Sequence, residues 1–133
     1  RFGDPECQAV LSLLETDLLD IMLACRNGTL DQLDIQWKDA AACCLVLASG
    51  GYPGKYAKGY PITGLEEAGK SAVVFHAGTA RESDGTIVTS GGRVLGVTAV
   101  GKDLEEAITG AYAAAGKISF QDMHFRTDIG RTV

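Results

Sequence analysis

Several things are scarce in this chain, and each scarcity removes a class of function. Basic residues are outnumbered: 12 Lys and Arg stand against 17 Asp and Glu, a formal net charge of −5 over 133 residues. A surface with that balance repels phosphate backbones and anionic lipid, so no nucleic acid and no membrane is expected as a partner. No apolar run approaches the roughly 18–20 residues that a membrane helix needs. The longest, Ala40 to Ala48, has the length of a strand. Histidine occurs only at His76 and His124, far apart, and neither has a carboxylate at ligand spacing. Cys7, Cys25, Cys43 and Cys44 lack metal-ligand and redox spacing too, and adjacent Cys43 and Cys44 should point to opposite faces of a strand. Buried free thiols in a reducing cytosol are the expectation. No basic leader followed by an apolar stretch is visible, so a cytoplasmic chain of about one domain, or one domain plus a piece of another, is expected.

What is present begins with a dense opening. Asp4-Pro5-Glu6 reads as a helix start, with Asp4 as N-cap, Pro5 at the first helical position and Glu6 in the first turn, where the helix dipole favours a negative charge. Val10, Leu11, Leu13 and Leu14 continue at helical spacing. Thr16 can cap a second helix whose stripe is Leu18, Leu19, Met22 and Leu23, and Asn27-Gly28 is a stop. This helical hairpin has apolar faces but no sheet of its own to cover. Between Thr29 and Lys38 the composition turns polar, which places a boundary there and predicts Trp37 as a lid on the next domain.

From Ala40 the period becomes strand-like. Ala40 to Ala48 predicts a central strand covered on both faces, running into the glycine-rich loop Ser49-Gly50-Gly51-Tyr52-Pro53-Gly54. That loop lacks the Lys-Ser/Thr ending of a phosphate cradle, so a turn is the default. Val73 to Thr79, Thr86 to Thr89 and Arg93 to Val100 predict a three-stranded meander, turned by Asp84-Gly85 and by Ser90-Gly91-Gly92. Asp103 with Glu106 predicts a capped helix. Its stripe, Leu104, Ala107, Ile108, Ala111, Tyr112 and Ala115, faces the sheet as far as Gly116. One or two short strands over 118–120 and 123–126 are expected next.

No nucleophile with a base, no carboxylate pair and no metal spacing is evident. The chain instead repeats one arrangement, a basic or polar residue beside a glycine turn: Arg1 near Gly3, His76 before Gly78-Thr79, and Arg93 after Gly91-Gly92. A guanidinium forks onto phosphate oxygens while glycine lets backbone N–H groups approach, so together these imply an anion-binding edge.

Five stretches occur in a telling order: Arg1-Phe2-Gly3-Asp4-Pro5-Glu6, Gly50-Gly51-Tyr52-Pro53-Gly54, Phe75-His76-Ala77-Gly78-Thr79, Gly91-Gly92-Arg93-Val94-Leu95 and Arg126-Thr127-Asp128-Ile129-Gly130. The series closely resembles the C-terminal third of the phosphoribosylamine–glycine ligase (glycinamide ribonucleotide synthetase) family, ATP-grasp enzymes of purine synthesis, over essentially the whole chain. The resemblance implies an α+β chain. Residues 1–36 would be the helical-hairpin tail of an ATP-grasp domain. Residues 37–133 would be a mainly antiparallel, β-rich C-terminal domain with one packed helix, similar to the hybrid module that closes the active site in biotin carboxylase and related ligases.

It also implies a parent enzyme that uses ATP and Mg²⁺ or Mn²⁺ to join glycine to 5-phosphoribosylamine, with N-terminal and ATP-grasp lobes as the partners of this piece. In the family the metal ligands, a Glu and an Asn, lie just before the stretch that opens here, so none is expected in the chain and the piece alone is expected to be inactive. By resemblance Arg1 lies beside the metal site and contacts phosphate, while Gly3, Asp4 and Glu6 order its loop. Arg93 is similar to an arginine that related purine ligases place on phosphate, and His76 and Thr79 extend that edge. The chain stops at Gly130-Arg131-Thr132-Val133, where family members continue, so a frayed last strand is expected. Two other readings stay open: a non-catalytic β-rich binding module, although the exposed Met-Lys-Met lysine of a carrier domain is missing, and a small regulatory domain that binds a ligand at its glycine loops.

Overall fold

The longest apolar run becomes the strand on which the rest is laid. The structure, a computed structural model, describes residues 3–131. In chain order it contains α1 (Glu6–Leu13), α2 (Leu18–Asn27), a 3-10 turn (Leu30–Gln32), β1 (Ala41–Ser49) and α3 (Leu65–Gly69). Then come β2 (Val73–His76), β3 (Thr79–Arg81), β4 (Ile87–Thr89), β5 (Arg93–Gly101), α4 (Leu104–Ala115) and β6 (Met123–His124). Four strands form an antiparallel sheet in the order β2-β5-β1-β6, and β3 pairs with β4 in a separate two-stranded sheet. The chain is thus a mixed, mainly antiparallel α+β fold with few helices.

Both faces of the sheet are covered, as the unbroken apolar run of β1 requires. Alternation sends Cys43, Leu45 and Leu47 to one face, where they are buried with Leu95 and Val97 under α4. Each buried Leu or Val contributes about 1.5–3 kcal/mol. α4 sits close because its inward residues are small: Ala107, Ala111, Ala114 and Ala115 are 0% exposed. A Cβ added at Gly110 would stand 3.2 Å from the Ala99 Cβ. The other face, with Cys44 and Gly96, carries α1, and a Cβ at Gly96 would stand 4.0 Å from the Gln8 Cγ.

That second cover corrects the expectation that the first two helices have no sheet to pack on. α1 does; α2 packs instead on the 3-10 turn. Its Leu19 and Met22 stay 60% and 58% exposed. Trp37 is no lid: it is exposed and bridges Leu14 at the end of α1, while the Lys38 N–H donates to the Leu13 carbonyl. The expected meander also fails. β5 pairs with β1 and β2 and not with β4, because the Val73–Thr79 run breaks at Ala77-Gly78 and β3–β4 turns away as its own hairpin. That hairpin does close at Gly85, with φ of 91°.

Capping depends on chemistry more than position. Asp17, not Thr16, caps α2 by accepting from the Leu19 N–H at 2.8 Å; Thr16 Oγ1 accepts from the Gln36 N–H instead. Gly28 ends α2 in the left-handed conformation, φ 69°, as its position predicts. Asp103 caps α4 through the Glu106 N–H at 2.9 Å, and Glu106 reaches back to the Lys102 N–H. Such a cap contributes about 1 kcal/mol. Leu104 stays exposed at the rim of the helix, so the buried stripe starts at Ala107. Residues 118–120 form no strand and β6 is only two residues long; Ser119 makes a lone bridge to Thr63. Of the thiols, only Cys43 is buried: Cys7 and Cys44 are half-buried and Cys25 is exposed.

The unequal covering of the helices gives a direct test. Hydrogen exchange is expected to run on the order of 100-fold faster in α2 than in β5, because α2 has little buried apolar contact to protect it. Equal protection would show the hairpin to be part of one cooperative unit with the sheet.

Candidate functional site

The antiparallel register brings the glycine turns to one rim. β1 and β2 end there, and β5 and β6 begin there: Ala48 pairs with both Arg93 and His124, and His76 pairs with Leu95. The turns then lock backbone to backbone. Ser49, 3% exposed, donates its N–H to the Gly92 carbonyl and its Oγ to the Gly91 carbonyl, each at 2.8 Å. The Gly78 N–H donates to the Arg93 carbonyl at 2.8 Å, while the Gly78 carbonyl accepts from Ser90 and Gly91. Only glycine fits at that crossing, where a Cβ on Gly78 would lie 2.6 Å from the Gly91 Cα. The amides of Gly78, Ser90 and Gly91 are therefore engaged by backbone carbonyls. The Ser49–Gly54 stretch is a turn, closed by Tyr52 N–H to the Ser49 carbonyl.

Arg93 is the charged centre of this rim. A shift in register leaves Leu95 opposite Leu47 but Arg93 opposite Ala48, so Val94 is an extra residue in β5. A bulge of this kind re-aims the side chains beside it. Here it turns Arg93 to the face that carries α1. Its Nη1 donates to the Asp4 carbonyl at 2.6 Å, and its Nη2 lies 3.8 Å from Asp4 Oδ2. Gln8 Nε2 holds the other carboxylate oxygen of Asp4 at 3.0 Å. This is why Asp4 does not cap α1, contrary to its predicted role. Its carboxylate is drawn to Gln8 and Arg93, Pro5 takes the N-cap position, and no side chain caps the helix. The Gly3 carbonyl accepts from the Cys7 N–H at 2.9 Å, and Glu6 is exposed in the first turn.

The other expected residues divide. His76 Nδ1 and Thr79 Oγ1 are 3.0 Å apart, an exposed pair on the same rim. Alternation along β2 puts His76 on the face opposite Phe75, and Phe75 lines a groove with Cys7, Gln8 and Leu11 of α1. His76 and Thr79 thus share the rim with Arg93 but not its face. Arg1 lies outside the described residues.

Two features escaped the sequence. Gln8 fixes Asp4, and its position four residues on in the same turn is the one signal that could have shown it. Arg126 is brought to the face of Arg93, where it lines a cavity of about 210 Å³ with Pro5, Cys44, Val46, Phe125 and Ile129. Its guanidinium forks onto both Asp128 oxygens at 2.8 and 2.6 Å, which holds the Asp128 carboxyl below the usual range. Tyr112 Oη ties this segment to α4, donating to the Arg126 carbonyl and accepting from the Ile129 N–H. Burial pushes the Cys44 thiol up, so it is no ready nucleophile. Among the described residues no group of three or more His, Cys, Asp and Glu side chains converges to hold a metal ion. They do not make a metal site by themselves.

Residues 42–132 match the family described as phosphoribosylglycinamide synthetase, C domain. A phosphoribosylamine–glycine ligase of Caldanaerobacter subterraneus is 53% identical over 97% of the chain, and one of Synechocystis is 54% identical over 98%. The chain spans 30% and 31% of the length of those curated relatives. A crystal structure of phosphoribosylamine–glycine ligase from Thermotoga maritima superposes with a TM-score of 0.81 at 35% identity, covering 95% of this chain and 30% of that one.

Proposed function

Because the chain belongs to the phosphoribosylglycinamide synthetase C-domain family, we propose that it is the C-terminal part of a ligase that joins glycine to 5-phosphoribosylamine at the expense of ATP in purine synthesis. The observation that carries this reading is the rim itself. Four of the five stretches that resemble the ligase family meet there through their described residues, and an arginine from one of them holds the loop of another.

The chemistry of the parent enzyme accounts for what this piece holds. Glycine's carboxylate is a poor electrophile. Phosphorylation by ATP makes glycyl phosphate and releases ADP; the amine of phosphoribosylamine then attacks the carbonyl carbon, and phosphate leaves. Such transfers depend on positioning and on fixed positive charge. Arg93, half-exposed beside the cavity face, supplies one such charge for the ribose phosphate, with Arg1 as a second contact; the His76–Thr79 pair offers a hydrogen-bonding edge on the far side of the rim. Mg²⁺ or Mn²⁺ and the nucleotide belong to the remaining lobes, and the enzyme works in the cytoplasm. Residues 1–36 are the tail of the ATP-grasp domain, and the exposed Leu19, Met22, Leu23 and Leu30 are the surface that the rest of the ligase covers.

The test is a comparison of two proteins. With glycine, phosphoribosylamine and ATP, the full-length enzyme is expected to release ADP and phosphate in step with product, and this chain alone is expected to give none above background. Product from the chain alone would overturn its assignment as a non-catalytic piece. A full-length protein without glycine-dependent ADP release would overturn the ligase reading.

A further inference from the structure

The contact between Arg93 and Asp4 joins residues 89 apart in sequence. It ties the only described segment before α1 to the start of β5, and it uses the guanidinium's geometry as well as its charge. One N–H meets the Asp4 carbonyl at 2.6 Å, and a second nitrogen faces the Asp4 carboxylate at 3.8 Å. The carboxylate is fixed from behind by Gln8, and the next turn is pinned by the Cys7 N–H on the Gly3 carbonyl. An ammonium on a flexible stem carries the same charge but cannot reproduce a planar two-point grip. The register shift beside Val94 puts Arg93 on the face from which it reaches Asp4.

We propose that Arg93 is a positioning residue as well as a phosphate contact: its hydrogen bond to the Asp4 carbonyl and its charge beside the Asp4 carboxylate hold the Gly3–Glu6 segment in register with the rim, and that alignment serves turnover. The proposal rests on the ligase reading only for its kinetic consequence. The grip itself is a property of this chain. Charge that attracts the ribose phosphate acts in the ground state and in the transition state alike, and so sets KM. Placement of the loop at the reacting groups is felt in kcat, where a displacement of about 1 Å costs on the order of 100-fold.

Two substitutions separate the roles. Arg93→Lys keeps the charge and loses the planar guanidinium that bonds the Asp4 carbonyl; Asp4→Asn keeps Arg93 whole and removes the carboxylate charge beside it. In this chain, both are expected to speed exchange of the Cys7 amide about tenfold, and the double variant to add little to either alone. In the full-length enzyme both are expected to lower kcat about tenfold while KM for phosphoribosylamine stays within about twofold. If Arg93 only binds phosphate, Asp4→Asn leaves kcat unchanged and KM unchanged or lower, and that result overturns the proposal. Unchanged Cys7 exchange in both variants overturns it as well. A wild-type full-length protein that does not ligate glycine removes the ligase reading, and the exchange measurement then decides the grip by itself.

Discussion

Replacing Gly78 by alanine is expected to destabilise the fold by about 2–4 kcal/mol, a fall in Tm on the order of 10 °C. The cause is contact and not conformation. The added Cβ would stand 2.6 Å from the Arg93 carbonyl oxygen, 2.6 Å from the Gly91 Cα and 2.8 Å from the Gly91 nitrogen. All three are backbone atoms, so no flexible side chain can move aside. Relief requires separating the Ala77-Gly78 turn from Gly91-Gly92, which breaks the Gly78 N–H bond to Arg93 and the two bonds that the Gly78 carbonyl accepts. Gly69→Ala is the control: nothing lies within 4 Å of its added Cβ, and the position ends a helix, so stability is expected to hold within about 0.5 kcal/mol. Denaturant midpoints measure both. A Gly78→Ala protein as stable as the control would mean that the two turns do not touch in solution.

Arg93→Ala in the full-length ligase is the second large effect, an expected fall of about 10- to 100-fold in kcat/KM for phosphoribosylamine. Alanine removes the charge proposed to meet the ribose phosphate together with the grip on Asp4, so this variant should exceed Arg93→Lys. KM for ATP and for glycine should stay within about threefold if, as proposed, the other lobes bind them. Steady-state kinetics with each substrate varied in turn would show this. Equal rises in all three Michaelis constants would make Arg93 a purely structural residue and would withdraw it from the phosphate site.

Much of this was legible before any coordinates. Ala40 to Ala48 announced a strand covered on both faces because it has no polar alternation, and Asp103 with Glu106 announced a capped helix because the cap is local chemistry. The glycine turns were readable as turns. Pairing partners were less so. Arg93 to Val100 was expected beside its sequence neighbour β4, yet it sits between β1 and β2, because the break at Gly78 frees the β3–β4 hairpin from the sheet. The cap of α1 differs for a related reason: Asp4 has the right side chain and position, but Gln8 four residues on and Arg93 from the start of β5 compete for its oxygens.

For the site, the residue types by themselves pointed to an anion-binding edge as an expectation, and their order carried the resemblance. What tertiary structure alone decided was which of them lie together. A one-residue bulge at Val94, for which the sequence carries no signal, turns Arg93 toward Asp4. Strand alternation then sends His76 to the opposite face. Local patterns record what a residue prefers from its near neighbours; a contact across 89 residues is set by register, and register is settled only when the whole sheet is packed.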